Sequence, residues 1–382
     1  MRPGRLVGIA LAGALSCLGV RGIDAHKGIT SRYTYNDDVF PILRDKCGIC
    51  HVDGGAAPMS LMTYGAQSGA VAWAESIREN LVAEAMPPWY VDPAGPAVRG
   101  GHTLSPHELD VVLTWATGGT PQGNLRKTPS PMKAEATWSL GMPDLVLALP
   151  REVKLGPGQM DTTADFAVPT TLTAPTWVKG IDLLPGTPSI VRSAAISLES
   201  GPPLTLWEPG GDRVAAPEGT GFKLPAGTRL FVHIRYKKSY LDEQKIVADR
   251  SAIGLYFAAG PSSVRDIQSL LVSANASDGG SAPRTFNRAF ESGGRVVALR
   301  PSVDQPYEAM TVDAVVSGGR VPLLKLRGIR PEWPRRYWLA NPIDVPPGAT
   351  IEVSGVPSDP DTGPLASRVD SPLDVGIDFI SQ

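Results

Sequence analysis

Hydrophobic residues recur at helical spacing in the first third of the chain and in short runs over the rest. Apolar positions three and four residues apart predict helices over residues 37–46, 70–81 and 106–117. After residue 125 the apolar runs are short, and turn signals such as Pro225-Ala226-Gly227 separate them. The pattern therefore predicts a small helical part followed by a larger part built from β-strands.

The third helix and the end of the second carry clear local signals. Ser105 stands where an N-cap belongs, a proline takes the first helical position, and Glu108 completes the signature of a capping box. After the second helix, Pro87 and Pro88 cannot continue a helix. Met86 is therefore expected on an extended loop.

The β part of the sequence contains two groups of strands. Residues 125–137 are rich in proline and lack periodicity, which predicts a linker. The runs that follow divide at about residue 260, and each group has the size of an ordinary β-sandwich. The predicted fold is multidomain: a small all-α domain over 23–124, then two antiparallel, jelly-roll-like β-sandwiches over 138–260 and 261–382. The predicted strands cover residues 145–149, 177–183, 189–198, 230–236, 252–257, 295–299, 310–315, 321–326 and 349–353.

Composition and charge narrow the class of protein. The chain has 382 residues, of which 42% are hydrophobic and 19% charged, enough for two or three domains with their own cores. Its formal net charge of -2 gives no sign of a basic surface. Nucleic acid is therefore not an expected partner.

The first residues have the pattern of a secretory signal peptide. Arg2 and Arg5 precede an apolar run over residues 6–20, which is short for a membrane-spanning helix. We predict a signal peptide over residues 1–22 and an exported, periplasmic protein with no transmembrane span in the mature chain; a retained anchor is the alternative. Cys17 follows a partial lipoprotein cleavage signal and is a candidate for lipid attachment.

Cys47-Gly48-Ile49-Cys50-His51 has the spacing that points most directly to a chemistry. Two thiols three residues apart can each add across a haem vinyl group, and the adjacent histidine can reach the iron, so the motif predicts one covalently attached haem c. Half of a zinc site or a thioredoxin-like redox pair are the alternatives. Zinc needs about four ligands, Cys17 is the one other cysteine, and the redox pair requires a βαβ setting that the pattern does not predict.

The order of elements around this motif carries a resemblance. A helix, the haem motif, a second helix, a Met-Pro-Pro loop and a closing helix follow one another, and residues 33–124 resemble the small single-haem cytochromes c in this respect. In that family a methionine on the loop is the second axial ligand. The resemblance implies His51 and Met86 as iron ligands, with Cys47 and Cys50 holding the haem. Rival candidates for the second ligand are Met59, Met62, His102 and His107.

Five short runs in the β part carry a second resemblance, over about residues 141–357. They are residues 141–147, 177–186, 233–236, 249–257 and 338–343. These runs are similar to the paired jelly-roll domains of copper type II, ascorbate-dependent monooxygenases, in the bacterial form fused to a cytochrome. The metal ligands of that family have no match, because Arg192-Ser193 stands in place of a His-His pair and Arg235 replaces one histidine of His-x-His. No histidine follows His233, so copper is not expected.

Two iron ligands from the protein would leave no open position for oxygen or substrate, which favours electron transfer over catalysis. We therefore expect an exported c-type cytochrome that works with redox partner proteins in a larger assembly, docked by metal-free β-sandwiches. A haem-fed, copper-dependent monooxygenase is the enzymatic alternative, and a structural subunit with an unused haem is the third. Residues 327–338, rich in arginine and aromatic residues, are the candidate docking surface, unless they form a solvated strand end.

Overall fold

The structure, a computed structural model, describes residues 30–88, 90–100, 103–211, 215–260, 263–274, 282–359 and 373–381. The predicted signal peptide over 1–22, together with Cys17, lies outside these residues. In the part of the chain that is described, no helix is both long enough and apolar enough to span a membrane.

Helical structure is concentrated before residue 118, where the periodicity predicts it. The α-helices are α1 (Phe40–Lys46), α2 (Ala74–Val82) and α3 (Pro106–Thr117); a π-helical turn covers Tyr35–Val39, and 3₁₀ turns cover Leu125–Lys127 and Tyr240–Asp242. α2 begins four residues later than predicted, after a series of turns. α3 has both hydrogen bonds of the predicted capping box: Glu108 N donates to Ser105 Oγ, and Ser105 N donates to Glu108 Oε2.

The helices share one hydrophobic cluster. Tyr35, Leu43, Met62, Val112 and Trp115 are fully or almost fully buried in it. The Tyr35 hydroxyl donates to the carbonyl of Leu61 at 2.9 Å, so this buried polar group is satisfied. The cluster fixes the helices to the turns on either side of the haem motif.

Most of the described chain is β-structure. The strands are β1 (Tyr90–Val91), β2 (Leu145–Ala148), β3 (Val153–Leu155), β4 (Asp161–Pro169), β5 (Thr176–Leu184), β6 (Val191–Ser197), β7 (Thr205–Trp207), β8 (Thr220–Leu224), β9 (Arg229–Lys237), β10 (Val247–Asp249), β11 (Ala252–Phe257), β12 (Arg265–Asp266), β13 (Gln268–Ser273), β14 (Arg284–Phe290), β15 (Gly294–Ser302), β16 (Tyr307–Val316), β17 (Gly319–Ile329), β18 (Tyr337–Val345), β19 (Ala349–Pro357) and β20 (Asp374–Ile380). Each of the nine predicted runs overlaps one of them.

Two pairs of sheets account for nearly all of these strands. The first pair has the orders β12-β8-β5-β11-β2 and β4-β9-β6-β7, and a core that includes Phe166, Val178 and Val232 lies between its sheets. The second pair has the orders β1-β17-β16-β19-β14 and β13-β20-β15-β18, with a core that includes Val312 and Ile377. The strands pair antiparallel, apart from the short parallel contact of β12 with β8. The predicted β-sandwich character is confirmed.

The segment that follows Met86 belongs to the second pair of sheets. β1 pairs with β17, with Tyr90 opposite Arg327 and Val91 opposite Leu326. Arg99 N then donates to the carbonyl of Trp338 at 2.7 Å. The segment that follows the helices therefore forms β1, an edge strand of the second sandwich.

The stretch 125–137, predicted as a linker, makes specific contacts with the helical part. Lys127 Nζ lies 2.6 Å from Asp37 Oδ1, and Ala134 N donates to the carbonyl of Asp53 at 2.8 Å. These bonds hold the chain against the haem motif before it enters β2.

The arginine-rich segment 327–338, considered above as a docking surface or a solvated strand end, is largely internal. Arg335 and Arg336 are 5% and 7% exposed. Arg336 Nε donates to Asp378 Oδ2 at 2.8 Å, and its Nη2 donates to the carbonyl of Pro203 in the first sandwich at 2.8 Å. Arg335 Nη1 lies 3.3 Å from Glu208 Oε1, also in the first sandwich, so both arginines join the sandwiches to each other.

Candidate haem site

A cavity of about 500 Å³ lies between the helical part and the two sandwiches. Cys47, Cys50, His51 and Met86 all line it. The first three come from the turn that follows α1, and Met86 comes from the loop that follows α2. The fold thus brings the four residues selected from the sequence to one place.

The haem motif forms a tight turn at the end of α1. Cys47 N donates to the carbonyl of Leu43 at 2.9 Å, and His51 N donates to the carbonyl of Cys47 at 2.8 Å. A Cβ atom at Gly48 would lie 2.5 Å from the carbonyl oxygen of Arg44, so this position requires glycine. The turn directs both cysteines toward the same cavity.

The two cysteines are free and partly buried. Burial raises the pKa of Cys47 to about 12, and burial together with the charge of Glu208 raises the pKa of Cys50 to about 12. A redox-active Cys-x-x-Cys pair has the opposite property, a lowered thiol pKa. The environment therefore does not favour a thioredoxin-like redox pair.

His51 lies in an environment that favours the neutral imidazole. Burial lowers its pKa, and the neighbouring backbone of Met59 only partly counteracts this effect. Its Nδ1 atom is buried, and no described group makes a well-formed hydrogen bond to it. A neutral histidine in an apolar pocket suits metal ligation, since a protonated ring has no lone pair to offer.

Met86 is fixed to the end of α2. Ala85 N and Met86 N both donate to the carbonyl of Asn80, at 2.8 Å and 3.3 Å. These hydrogen bonds end the helix and place the Met86 side chain at the cavity.

The rival ligands lie in less suitable places. Met62 is fully buried in the helical cluster, and His107 is exposed beside the ring of Tyr33. Met59 lines the cavity, but its backbone lies against the His51 ring. His102 lies outside the described residues.

The remaining walls of the helical side are mostly apolar. They are formed by Leu43, Leu61, Ile77, Leu81, Leu104 and Val112. Pockets for large flat ligands have this character: mostly hydrophobic, with a few polar groups at fixed points. With two free thiols, a neutral histidine and a methionine, these walls fit a covalently attached haem.

The first sandwich closes the cavity from the other side. Gly210, Arg192 and Arg235 line it, and the Cys50 thiol donates to the carbonyl of Pro209 at 3.3 Å. A Cβ atom at Gly210 would collide with the Ile49 side chain. Sequence analysis missed this wall, because nothing local indicates that a loop of the sandwich packs against the haem motif.

His233 stands apart from the cavity on the outer face of β9. Its ring is half-exposed, and Nδ1 donates to Asp165 Oδ1 at 2.7 Å. Within the described part of the chain, no three His, Cys, Asp or Glu side chains are grouped closely enough to hold a metal ion.

Comparison with known proteins gives distant likenesses only. No protein family model matches the chain, and no curated protein matches it. Among solved structures it is similar to the major capsid protein P2 of bacteriophage PM2, at 13% identity over 62% of this chain and 97% of that chain, with a TM-score of 0.28. It is also similar to the STIV MCP, at 10% identity over 62% and 95% of the two chains, with a TM-score of 0.24. TM-scores this low carry no argument about function.

Proposed function

We propose that the chain is an exported electron-transfer protein with one covalently attached haem. Its helical part would be a small cytochrome c domain, followed by two metal-free, jelly-roll-like sandwiches. The observation that supports this most strongly is the convergence of Cys47, Cys50, His51 and Met86 on one cavity. Each is of the residue type that attachment or axial ligation of a haem requires.

Attachment uses the two cysteines without any oxidant. Each thiol would add across one vinyl double bond, with the sulfur on one vinyl carbon and the thiol hydrogen on the other. Cys47 and Cys50 would then hold the haem by two thioethers at the end of α1.

The bound haem supplies an iron that accepts and returns one electron. His51 offers an imidazole nitrogen and Met86 offers a thioether sulfur, and apolar side chains such as Ile77 and Val112 exclude water. With both residues as ligands, a bound haem would offer oxygen and substrates no open position. Electron transfer is the activity that this arrangement supports.

Two measurements test the proposal: carbon monoxide binding to the ferrous protein, and its iron and copper content. The purified holoprotein should accept an electron from dithionite, and its ferrous spectrum should resist added carbon monoxide, while Met86→Ala should bind the gas readily. One iron and no copper per chain is the expected metal content. Rapid carbon monoxide binding by the wild type would contradict the proposed ligation, and two coppers per chain would favour the monooxygenase.

A further inference from the structure

One wall of the haem cavity carries a large excess of positive charge. Among the described residues, the charged side chains that line the cavity are six basic ones, Lys46, Arg192, Arg235, Lys237, Lys238 and Arg330, and one acidic one, Glu332. Charges in a partly buried, apolar site are costly unless they have partners. The question is therefore which of these cations are already neutralised inside the chain.

Three of the six cations are accounted for. Lys46 Nζ lies 3.7 Å from Glu108 Oε2 and also donates to the carbonyl of Thr103. Lys238 Nζ donates to three backbone carbonyl oxygens at 2.7–3.1 Å. Lys237 is exposed, so water solvates its charge. None of these three side chains needs a ligand in the cavity.

The arginines on the sandwich side have no salt bridge to a carboxylate. In the part of the chain that the structure describes, neither Arg192 nor Arg235 forms one, although Arg192 Nη1 donates to the carbonyl of Ser189 at 2.9 Å. The charge of Glu332 acts on Arg330. Among the described residues that line the cavity, three guanidinium groups therefore share one carboxylate.

Local geometry brings two of these guanidinium groups together. β6 and β9 are paired, with Ser193 opposite Arg235, and the register shifts at Arg192 as in a β-bulge. A bulge re-aims the side chain it carries. Burial lowers the pKa of Arg192 to about 10, and the like charge of Arg235 acts in the same direction, while Cys50 has the opposite effect.

We propose that Arg192, Arg235 and Arg330 form a carboxylate-binding wall that receives the two propionate groups of the haem, an inference that rests on the proposed function. A haem has two carboxylates, and the cations face the same cavity as the two cysteines. Guanidinium groups match carboxylates in geometry and charge. The sandwich thereby acts on the haem directly, in addition to any docking role.

Redox titration of the holoprotein tests this wall. Ferric haem has one more positive charge than ferrous haem, so nearby cations disfavour the ferric state and raise the midpoint potential. Arg192→Gln, Arg235→Gln and Arg330→Gln should each retain the covalent haem but lower the potential, and should make it pH-dependent near neutrality as the propionate pKa rises. Arg192→Lys should restore part of the potential. Arg229→Gln, on the same strand but away from the cavity, should change nothing.

Added succinate distinguishes the haem's own carboxylates from an external one. If the propionates occupy the wall, succinate leaves the potential of the wild type unchanged. A saturable shift with succinate that disappears in the Gln variants would overturn the assignment, because the wall would then be open to an outside carboxylate. Unchanged potentials in all three Gln variants would overturn it as well. In both cases the haem would still be attached covalently, so these results would not contradict the proposed electron-transfer function.

Discussion

Met86 and Met59 both line the cavity, but they reach it from different parts of the chain. Met59 follows the haem motif closely, and its backbone contacts the His51 ring. A methionine held so close to the histidine would have to cross a bound haem to serve as its second ligand. Met86 arrives from the end of α2, a separate element, and is the better candidate for that position.

Substitution at the two methionines separates their roles. Met86→His should keep the iron six-coordinate, remove the weak sulfur-to-iron absorption band of the ferric protein, and lower the midpoint potential, because imidazole stabilises ferric iron more than a thioether does. Met59→Leu is the matched control and should leave band and potential unchanged. If Met59→Leu loses the sulfur-to-iron band and Met86→Leu keeps it, the second iron ligand is Met59 and not Met86.

At the scale of elements, the loop that carries Met86 is held by the second sandwich as well as by α2. β1 begins four residues after Met86 and pairs with β17. Arg327 on β17 lies 3.2 Å from Glu84 Oε1 and 3.1 Å from Asp92 Oδ2, so it bridges the two ends of the loop. The position of the sixth ligand is thus coupled to the sandwich.

Removal of this bridge should weaken methionine ligation without unfolding the chain. Exposed ion pairs contribute about 0.2–1 kcal/mol each, and 1 kcal/mol corresponds to roughly a fivefold change in an equilibrium. We expect Arg327→Ala to bind carbon monoxide several times more tightly than the wild type, measured by spectroscopic titration. Arg320→Ala removes exposed ion pairs from the same strand and is the control. Equal affinities in both variants would show that Arg327 does not position the loop.

Elements that depend on neighbouring residues could be predicted from the sequence. Elements that depend on contacts between distant parts of the chain could not. α3 follows from Ser105 and Glu108, whose hydrogen bonds depend on four consecutive residues. β1 has two residues and no periodicity, and its partner lies far along the chain, so only the fold reveals it. Arg192 and Arg235 could be recognised as unsuited to copper, but their place in the cavity wall depends on how the sandwich packs against the haem motif.

At the scale of the whole molecule, a buried charge cluster joins the two sandwiches. Asp378 accepts hydrogen bonds from Arg300 and Arg336, and Arg336 also binds backbone carbonyls of the first sandwich. Burial alone raises the pKa of Asp378, but the charges of Arg336 and Arg300 outweigh it and hold the pKa below its ordinary value. The relative placement of the sandwiches, and with it the cavity wall, depends on this cluster.

Asp378→Asn should be strongly destabilising, because it leaves two buried arginines without their counter-charge. Breaking a buried pair in this way costs about 3–5 kcal/mol of unfolding free energy. The lowered pKa also sets the pH dependence: the carboxylate stabilises the folded state above the unfolded pKa of about 3.9, and this contribution is lost as the pH falls through the folded pKa.

Urea unfolding at several pH values checks both expectations. The wild type should lose stability below about pH 4 more steeply than Asp378→Asn does. Asp344→Asn, which removes an exposed carboxylate 3.8 Å from Arg295, is the control and should have little effect. A stability for Asp378→Asn equal to that of the wild type would mean that the cluster does not hold the sandwiches together.

The mass of the mature chain tests the central claim most directly. We expect protein exported from a host with working haem-attachment machinery to retain the mass of one haem after acid-acetone treatment. The double variant Cys47→Ser, Cys50→Ser should lose it, and Cys17→Ser should keep it. Wild-type chain that emerges without haem, or that releases all of its haem on extraction, would contradict the account.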